Sequence, residues 1–344
     1  MNSTEFNLDN LEAVEPLKVF TDAFNTPKMY RFNNKGLRYY FDDEYQLFAS
    51  VTSIIDAVHC DKYVTVELVD KYGGKDGYNR FMKERATYGT ILHICSERYM
   101  MSGQQGERSI STETIQNIIN NNVEKANIEA KTCKWWAKDI KQDLGCIVKF
   151  LNEYNVRPLA IEYVGKAQID GYGKYAGAID LICTLDIKEK GFWGETYKTG
   201  ANKGQPKETT KVRTVPAIVD FKSGRNGFYY SHALQLAMYR DMVAGFQYEA
   251  DGEIKTASAE DIKLYNVAPN ATGKTYKIKD QTHEISDEEI MSTVLLFKHK
   301  FFNPPTTIEM ASEPITDISQ TDSVDIKDYL KELIIKKNLT RLTA

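Results

Sequence analysis

The chain has 344 residues, with 44 Lys and Arg against 48 Asp and Glu, and 42% of its residues are apolar. That length suits one large domain or one domain with appendages, and the apolar content supports a sizeable core. A net charge of -4 excludes a protein coated in positive charge for tight nonspecific DNA binding, but not one that confines positive charge to a groove.

Residues 1–25 read as a flexible N-terminus, and a single domain is expected over 26–305. LRYYFDD and YQLFASV alternate aromatic and polar residues as a hairpin does. A short helix, SIIDAVH, follows with Thr52 or Ser53 as its cap. Residues 61–84 are charged and helical in places, interrupted at Gly73-Gly74. Helices are then predicted over 85–101, 112–130 and 132–153. The last contains Trp135 and Trp136, which point about 100° apart on a helix, so at most one can face the core.

Three strands are predicted next, at 159–168, 175–186 and 214–221, with a loop from Lys188 to Arg213 between the last two. That loop holds seven basic and three acidic residues. Phe192, Trp193 and Tyr197 stand at its start. Basic residues interleaved with aromatics suit an element that grips a nucleic-acid strand. Trp193, Lys198, Lys203, Lys207, Lys211 and Arg213 are the candidate contacts; a solvated hairpin extension is the alternative. A helix over 231–245, a strand over 260–268 and a hairpin-like piece over 274–285 follow. Ser286-Asp-Glu-Glu289 is a capping box opening a helix over 287–302, which Pro304-Pro305 stops. Residues 306–325 read as a polar linker. Residues 326–344 read as an amphipathic helix that could dock on the body or on a protein partner.

The chemistry concentrates between Tyr175 and Tyr239. YAGAIDLICTLD and VPAIVDFKSG each carry one carboxylate inside an apolar run, at Asp180 and Asp220. A buried acid is costly unless it is paired or bound to a metal. Alternation along a strand puts Asp220 and Lys222 on one face, with the Phe221 carbonyl between them. If the two strands are neighbours, Asp180 meets Asp220. Two carboxylates and a carbonyl make an oxygen-rich site for Mg²⁺ or Mn²⁺, with one or two ions. Lys222 beside it would orient a water or stabilise developing charge. Gln235 and Tyr239 share a face of the following helix.

GAID, IVDFK and QLAMY, in that order, resemble the PD-(D/E)XK nuclease superfamily, in the style of its RecB-type exonuclease-like branch. The branch adds a histidine in a Gly-x-x-x-His pattern, matched here by Gly89-Thr-Ile-Leu-His93. The resemblance covers roughly residues 45–245. It implies an α/β fold: a central mixed sheet flanked by helices, a restriction-endonuclease-like core with an N-terminal helical elaboration. It implies His93, Asp180, Asp220 and the Phe221 carbonyl as metal ligands, and Lys222 as the catalytic base or orienting group. Gln235 and Tyr239 then position Lys222 or the scissile strand, and Glu162 is an accessory acid. The acid-x-Lys triplet alone carries no weight, since the chain has seven; only Asp220-Phe-Lys222 sits within the ordered set.

The implied activity is metal-dependent DNA hydrolysis, by an exonuclease in recombination, repair or phage replication acting on single strands or duplex ends. A catalytically silent nuclease-fold module that binds DNA or protein is the alternative. No Gly-x-x-x-x-Gly-Lys-Ser/Thr occurs, so no ATP site is expected. The five cysteines form no Cys-x-x-Cys pair, which argues against zinc or iron–sulfur ligation and suits a reducing compartment. No run approaches the ~20 apolar residues of a membrane helix. The expected location is the cytoplasm, the host's if the chain is phage-encoded.

Overall fold

The computed structural model describes residues 12–14, 18–19, 29–34, 37–42, 44, 46–59, 62–103, 108–129, 131–224, 227–250, 252–300, 307–309 and 323–325. Five strands come first: β1 (Glu12–Val14), β2 (Lys18–Val19), β3 (Met29–Asn34), β4 (Leu37–Asp42) and β5 (Leu47–Ser50). Five helices follow: α1 (Val51–Val58), α2 (Lys62–Lys71), α3 (Lys75–Ser102), α4 (Thr112–Lys125) and α5 (Trp136–Glu153). The central strands are β6 (Arg157–Ile169), β7 (Gly173–Thr196) and β8 (Pro206–Phe221). After them come α6 (Tyr230–Val243), a small hairpin of β9 (Gln247–Ala250) and β10 (Glu253–Thr256), then β11 (Lys263–Asn270), β12 (Thr275–Asp280) and α7 (Asp287–Lys300). β13 (Thr307–Glu309) and β14 (Ser323–Asp325) pair with each other.

The fold is α/β, with one mixed sheet in the order β1-β3-β4-β5-β7-β8-β11-β12, and β6 branching from β7 to pair with β2. β7 and β8 are antiparallel, whereas β5–β7 and β8–β11 are parallel. Helices cover both faces, which allows the central strands to read as nearly continuous apolar runs. On one face Ile182 and Ile218 pack with Leu234, Leu236 and Met238 of α6. On the other, Leu181, Cys183, Val219 and Phe221 pack with Ile91, Leu92 and Ile147 of α3 and α5. The alternation therefore turns Asp220 and Lys222 toward α6.

Several local expectations meet their structures here. Trp136 is buried at 8% exposure and Trp135 is exposed at 61%, as the helical angle requires. The capping box forms, with the Ser286 N–H donating to Glu289 at 2.8 Å. α1 begins at Val51, two residues before the expected start of SIIDAVH, so Ser50 is its N-cap. Ser53 instead accepts the Arg38 N–H at 2.7 Å. α3 reaches back to Lys75, because the break at Gly73-Gly74 lies before it rather than inside it. Within 1–25, the short strands β1 and β2 pair with β3 and β6. Within 306–325, β13 and β14 pair. The C-terminal helix expected over 326–344 lies outside the described residues.

The largest difference concerns Lys188–Arg213. It is not a loop: β7 and β8 continue pairing from Ile187↔Arg213 to Thr196↔Pro206, forming a two-stranded ribbon. The ribbon leaves the sheet at the end opposite Asp180 and Asp220, since strand direction carries residues 188–196 away from 180 as it carries 206–213 away from 220. The pairing is that of the hairpin extension that stood as the alternative, and it projects away from the two acids rather than over them.

Candidate metal centre

Leu181 pairs with Val219, so Asp180 and Asp220 stand side by side one step beyond. Glu162 stands across from Asp180 on the other side, between the pairs Ile161↔Leu181 and Tyr163↔Ile179. β6 bulges between Pro158 and Ala160, and Glu162 itself has φ of 51°. A non-glycine residue held in that region costs of order 1–3 kcal/mol. Bulges and such strained positions commonly re-aim a side chain at a functional site.

α3 brings His93 to the same place. Its Nδ1 lies 3.4 Å from Asp180 Oδ2, and the other face of α3 is anchored by buried Ile91, Leu92 and Cys95. Gly89, one turn earlier, allows close approach to the segment after β8: a Cβ there would stand 3.0 Å from Ser223 Oγ. His93, Glu162 and Asp180 each offer a ligand atom, and these atoms all lie within 4.8 Å of one another. Asp180 Oδ2 also accepts the Phe221 N–H at 2.8 Å, which fixes the carboxylate against the peptide whose carbonyl was the fourth expected ligand.

Asp220 is the most enclosed acid, 2% exposed. Lys222 Nζ donates to it, 2.8 Å from Oδ2 and 3.0 Å from Oδ1. The ammonium also donates to Gln235 Oε1 at 3.0 Å, and Gln235 Nε2 donates to the Tyr239 hydroxyl at 2.8 Å. Gln235 and Tyr239 are thereby joined to Lys222 in one chain of hydrogen bonds. Asp220 stands outside the three-residue cluster, turned toward Lys222 and toward Asn266, whose Nδ2 donates to it at 2.8 Å.

Two participants escaped the sequence reading. Asn266 is a single amide in the apolar strand KLYNVAP, fully buried, and in parallel register with Asp220. Gln281 Nε2 donates to its carbonyl at 2.9 Å. Glu97 lies four residues after His93 on α3, and its charge helps to push the Glu162 carboxyl upward. The i, i+4 spacing from His93 was the available signal for Glu97. For Asn266 the signal was a polar residue in an otherwise apolar strand.

The electrostatics are those of an acid-rich pocket short of positive charge. Burial pushes Glu162 upward, the Asp180 and Glu97 charges add to it, and its pKa reaches about 9. Burial likewise raises Glu97. Adjacent carboxylates oppose each other's ionisation, so the charge of Glu97 adds to the rise at Glu162. Burial opposes charge on His93, yet Asp180, Asp220 and Glu162 together lift it to about 10. Burial acts to raise Asp180 as well, but His93 and Lys222 outweigh it and hold it below the usual carboxylate range. For Asp220 burial wins over Lys222, and its pKa is raised.

These donors could hold a metal ion. They are hard carboxylate oxygens with one imidazole nitrogen and no thiolate.

Gly177 gives this region a steric signature. A Cβ at Gly177 would stand 2.7 Å from Cε1 of Tyr239, which is only 3% exposed. Gly177→Ala is expected to destabilise the protein by about 1–3 kcal/mol, the usual range for overpacking a filled core. A lowered denaturation midpoint at unchanged m-value would show it; an unchanged midpoint would mean that the Tyr239 ring moves aside freely.

No protein-family model and no curated protein matches the chain. Among the described residues no helix is long and apolar enough to cross a membrane.

Proposed function

We propose that this chain is a divalent-metal-dependent nuclease that hydrolyses DNA phosphodiester bonds, working from strand ends in recombination, repair or phage replication. The observation that carries the reading is the juxtaposition of two groups on neighbouring strands. One is the His93–Glu162–Asp180 cluster; the other is Lys222, held by Asp220 and Gln235. A metal cluster alone would suit many functions. A half-buried lysine beside it, positioned by a glutamine and a tyrosine, suits attack on a phosphodiester.

His93, Glu162 and Asp180 would hold the ion, with Asp220 and the Phe221 carbonyl next to them. A divalent ion supplies Lewis-acid polarisation of a phosphoryl oxygen and makes a bound water more acidic. Lys222 is the chain's own contribution: its ammonium can orient the attacking water or offset charge that develops on the phosphate. Gln235, tied to Tyr239, keeps Lys222 from collapsing onto Asp220 alone. The Asp220–Asn266–Gln281 chain fixes the carboxylate from behind.

The test is cleavage of labelled single- and double-stranded DNA across a titration of Mg²⁺ and Mn²⁺. Metal-dependent products that disappear with EDTA are expected. Calorimetry should show His93→Ala weakening Mn²⁺ binding by at least about tenfold, the lower end of what even supporting residues around a metal contribute. DNA binding without cleavage under every metal would favour a silent binding module, and unchanged Mn²⁺ affinity would return His93 to a packing role.

A further inference from the structure

The ribbon formed by β7 and β8 beyond the sheet is unused by the site. Residues 188–213 carry seven basic and three acidic residues, a net of +4, whereas the whole chain carries -4, so the remainder sums to -8. This projecting element is thus net positive on a chain that is net negative. Of its seven cations, Arg213 is the one with an ion pair among the described residues, to Glu189 at 2.7 Å. The ribbon also displays aromatics: Phe192 is 68% exposed, Trp193 41% and Tyr197 38%.

Lysines on a free strand edge serve to discourage unwanted strand pairing, which accounts for cations there. It does not account for three exposed aromatic rings beside them, which work in the opposite direction. Trp193 is also positioned rather than loose. Its ring lies on Gly191, where a Cβ would meet it at 3.3 Å, and the Lys211 ammonium sits 5.1 Å from the ring centroid. An indole backed by a cation on a basic ribbon matches the chemistry that holds nucleic acid, in which lysines meet phosphates and flat rings stack on bases.

We infer that this ribbon is a nucleic-acid arm that engages the substrate DNA at a distance from the cut. The inference rests on the nuclease reading of the site. At about 3.3 Å per residue, the ribbon's cations lie from about 25 to about 50 Å along the strands from Asp180 and Asp220. At about 3.4 Å per stacked nucleotide, that corresponds to about 7 to 15 nucleotides from the scissile phosphate. The arm therefore makes the enzyme sensitive to substrate length: oligonucleotides shorter than this span reach the site but not the arm.

The experiment measures binding of the full chain to single-stranded and duplex DNA of 6 to 30 nucleotides, in EDTA and across a salt series. Wild-type affinity is expected to rise at least tenfold between about 7 and 15 nucleotides and then level off. Replacing Lys198, Lys203, Lys207 and Lys211 together by Ala should remove that rise and flatten the duplex salt slope by up to about 3.6, the value for four lost phosphate contacts. Trp193→Ala, tested separately, should weaken single strands more than duplex if the ring stacks on unpaired bases, and equally if it lies along a backbone. A lysine variant with the wild-type length dependence and salt slope would overturn the inference. Binding in EDTA does not require cleavage. An arm that binds in a protein that never cuts would therefore refute the nuclease reading alone.

Discussion

Asp180→Asn is expected to lower DNA cleavage by about a thousandfold or more while the protein stays folded. Asp180 is the hub of the centre: it belongs to the three-residue cluster, faces His93 at 3.4 Å and accepts the Phe221 N–H at 2.8 Å. Asparagine keeps the shape and one carbonyl oxygen for that N–H, so the join between β7 and the end of β8 survives. It removes the negative charge, and with it a ligand for a hard cation. Metal-assisted charge stabilisation is worth several kcal/mol, and about 4 kcal/mol corresponds to the stated loss. The measurement pairs cleavage rates at saturating Mn²⁺ with thermal melting of the same preparation. Near-wild-type cleavage by a well-folded Asp180→Asn protein would eliminate the proposed centre.

Lys222→Ala should lower kcat by about a hundred- to a thousandfold, the range found when one preorganised charge-stabilising donor is removed. Its KM should change little, because the interaction is strongest in the transition state. This substitution also has a structural cost. Asp220 is 2% exposed and loses its only ion pair among the described residues, keeping the Asn266 amide. Removing one partner of a buried pair costs about 3–5 kcal/mol, moderated here because the lysine side chain is 21% exposed. Mn²⁺ calorimetry and kinetics below the melting temperature separate the two effects. Retained Mn²⁺ binding with lost kcat is the expected pattern. Loss of both in equal measure would make Lys222 a fold-stabilising residue that also shapes the cluster.

The candidate site was legible in outline because its residues break local rules. Asp180 and Asp220 are acids inside strands that otherwise read as buried, and such acids need a partner or an ion. Gly177 and Gly89 were visible only as motif letters; the structure gives their reason, close approach to Tyr239 and Ser223. Glu162 could not be ranked from sequence. An acid on a strand is usually solvated, and only the positive φ beside the β6 bulge turns this one inward. Glu97 becomes meaningful only once α3 is seen to lie against β6.

Sequence by itself determined the α/β class, the order of the central strands and helices, the face shared by Asp220 and Lys222, and the capping box at Ser286. Each of these follows from short-range periodicity or local hydrogen bonding, which neighbouring residues specify among themselves. Tertiary structure alone decided that Asp220 meets Asn266, that Glu97 lies close enough to Glu162 for its charge to raise that acid, and that the ribbon 188–213 is directed away from the site. These depend on register between strands far apart in the chain and on which helix covers which face. A polar, glycine-containing segment reads as a loop until its two halves are known to be hydrogen-bonded to each other. In 188–213 the strand pairing continues from the buried sheet into solvent, where no apolar pattern marks it.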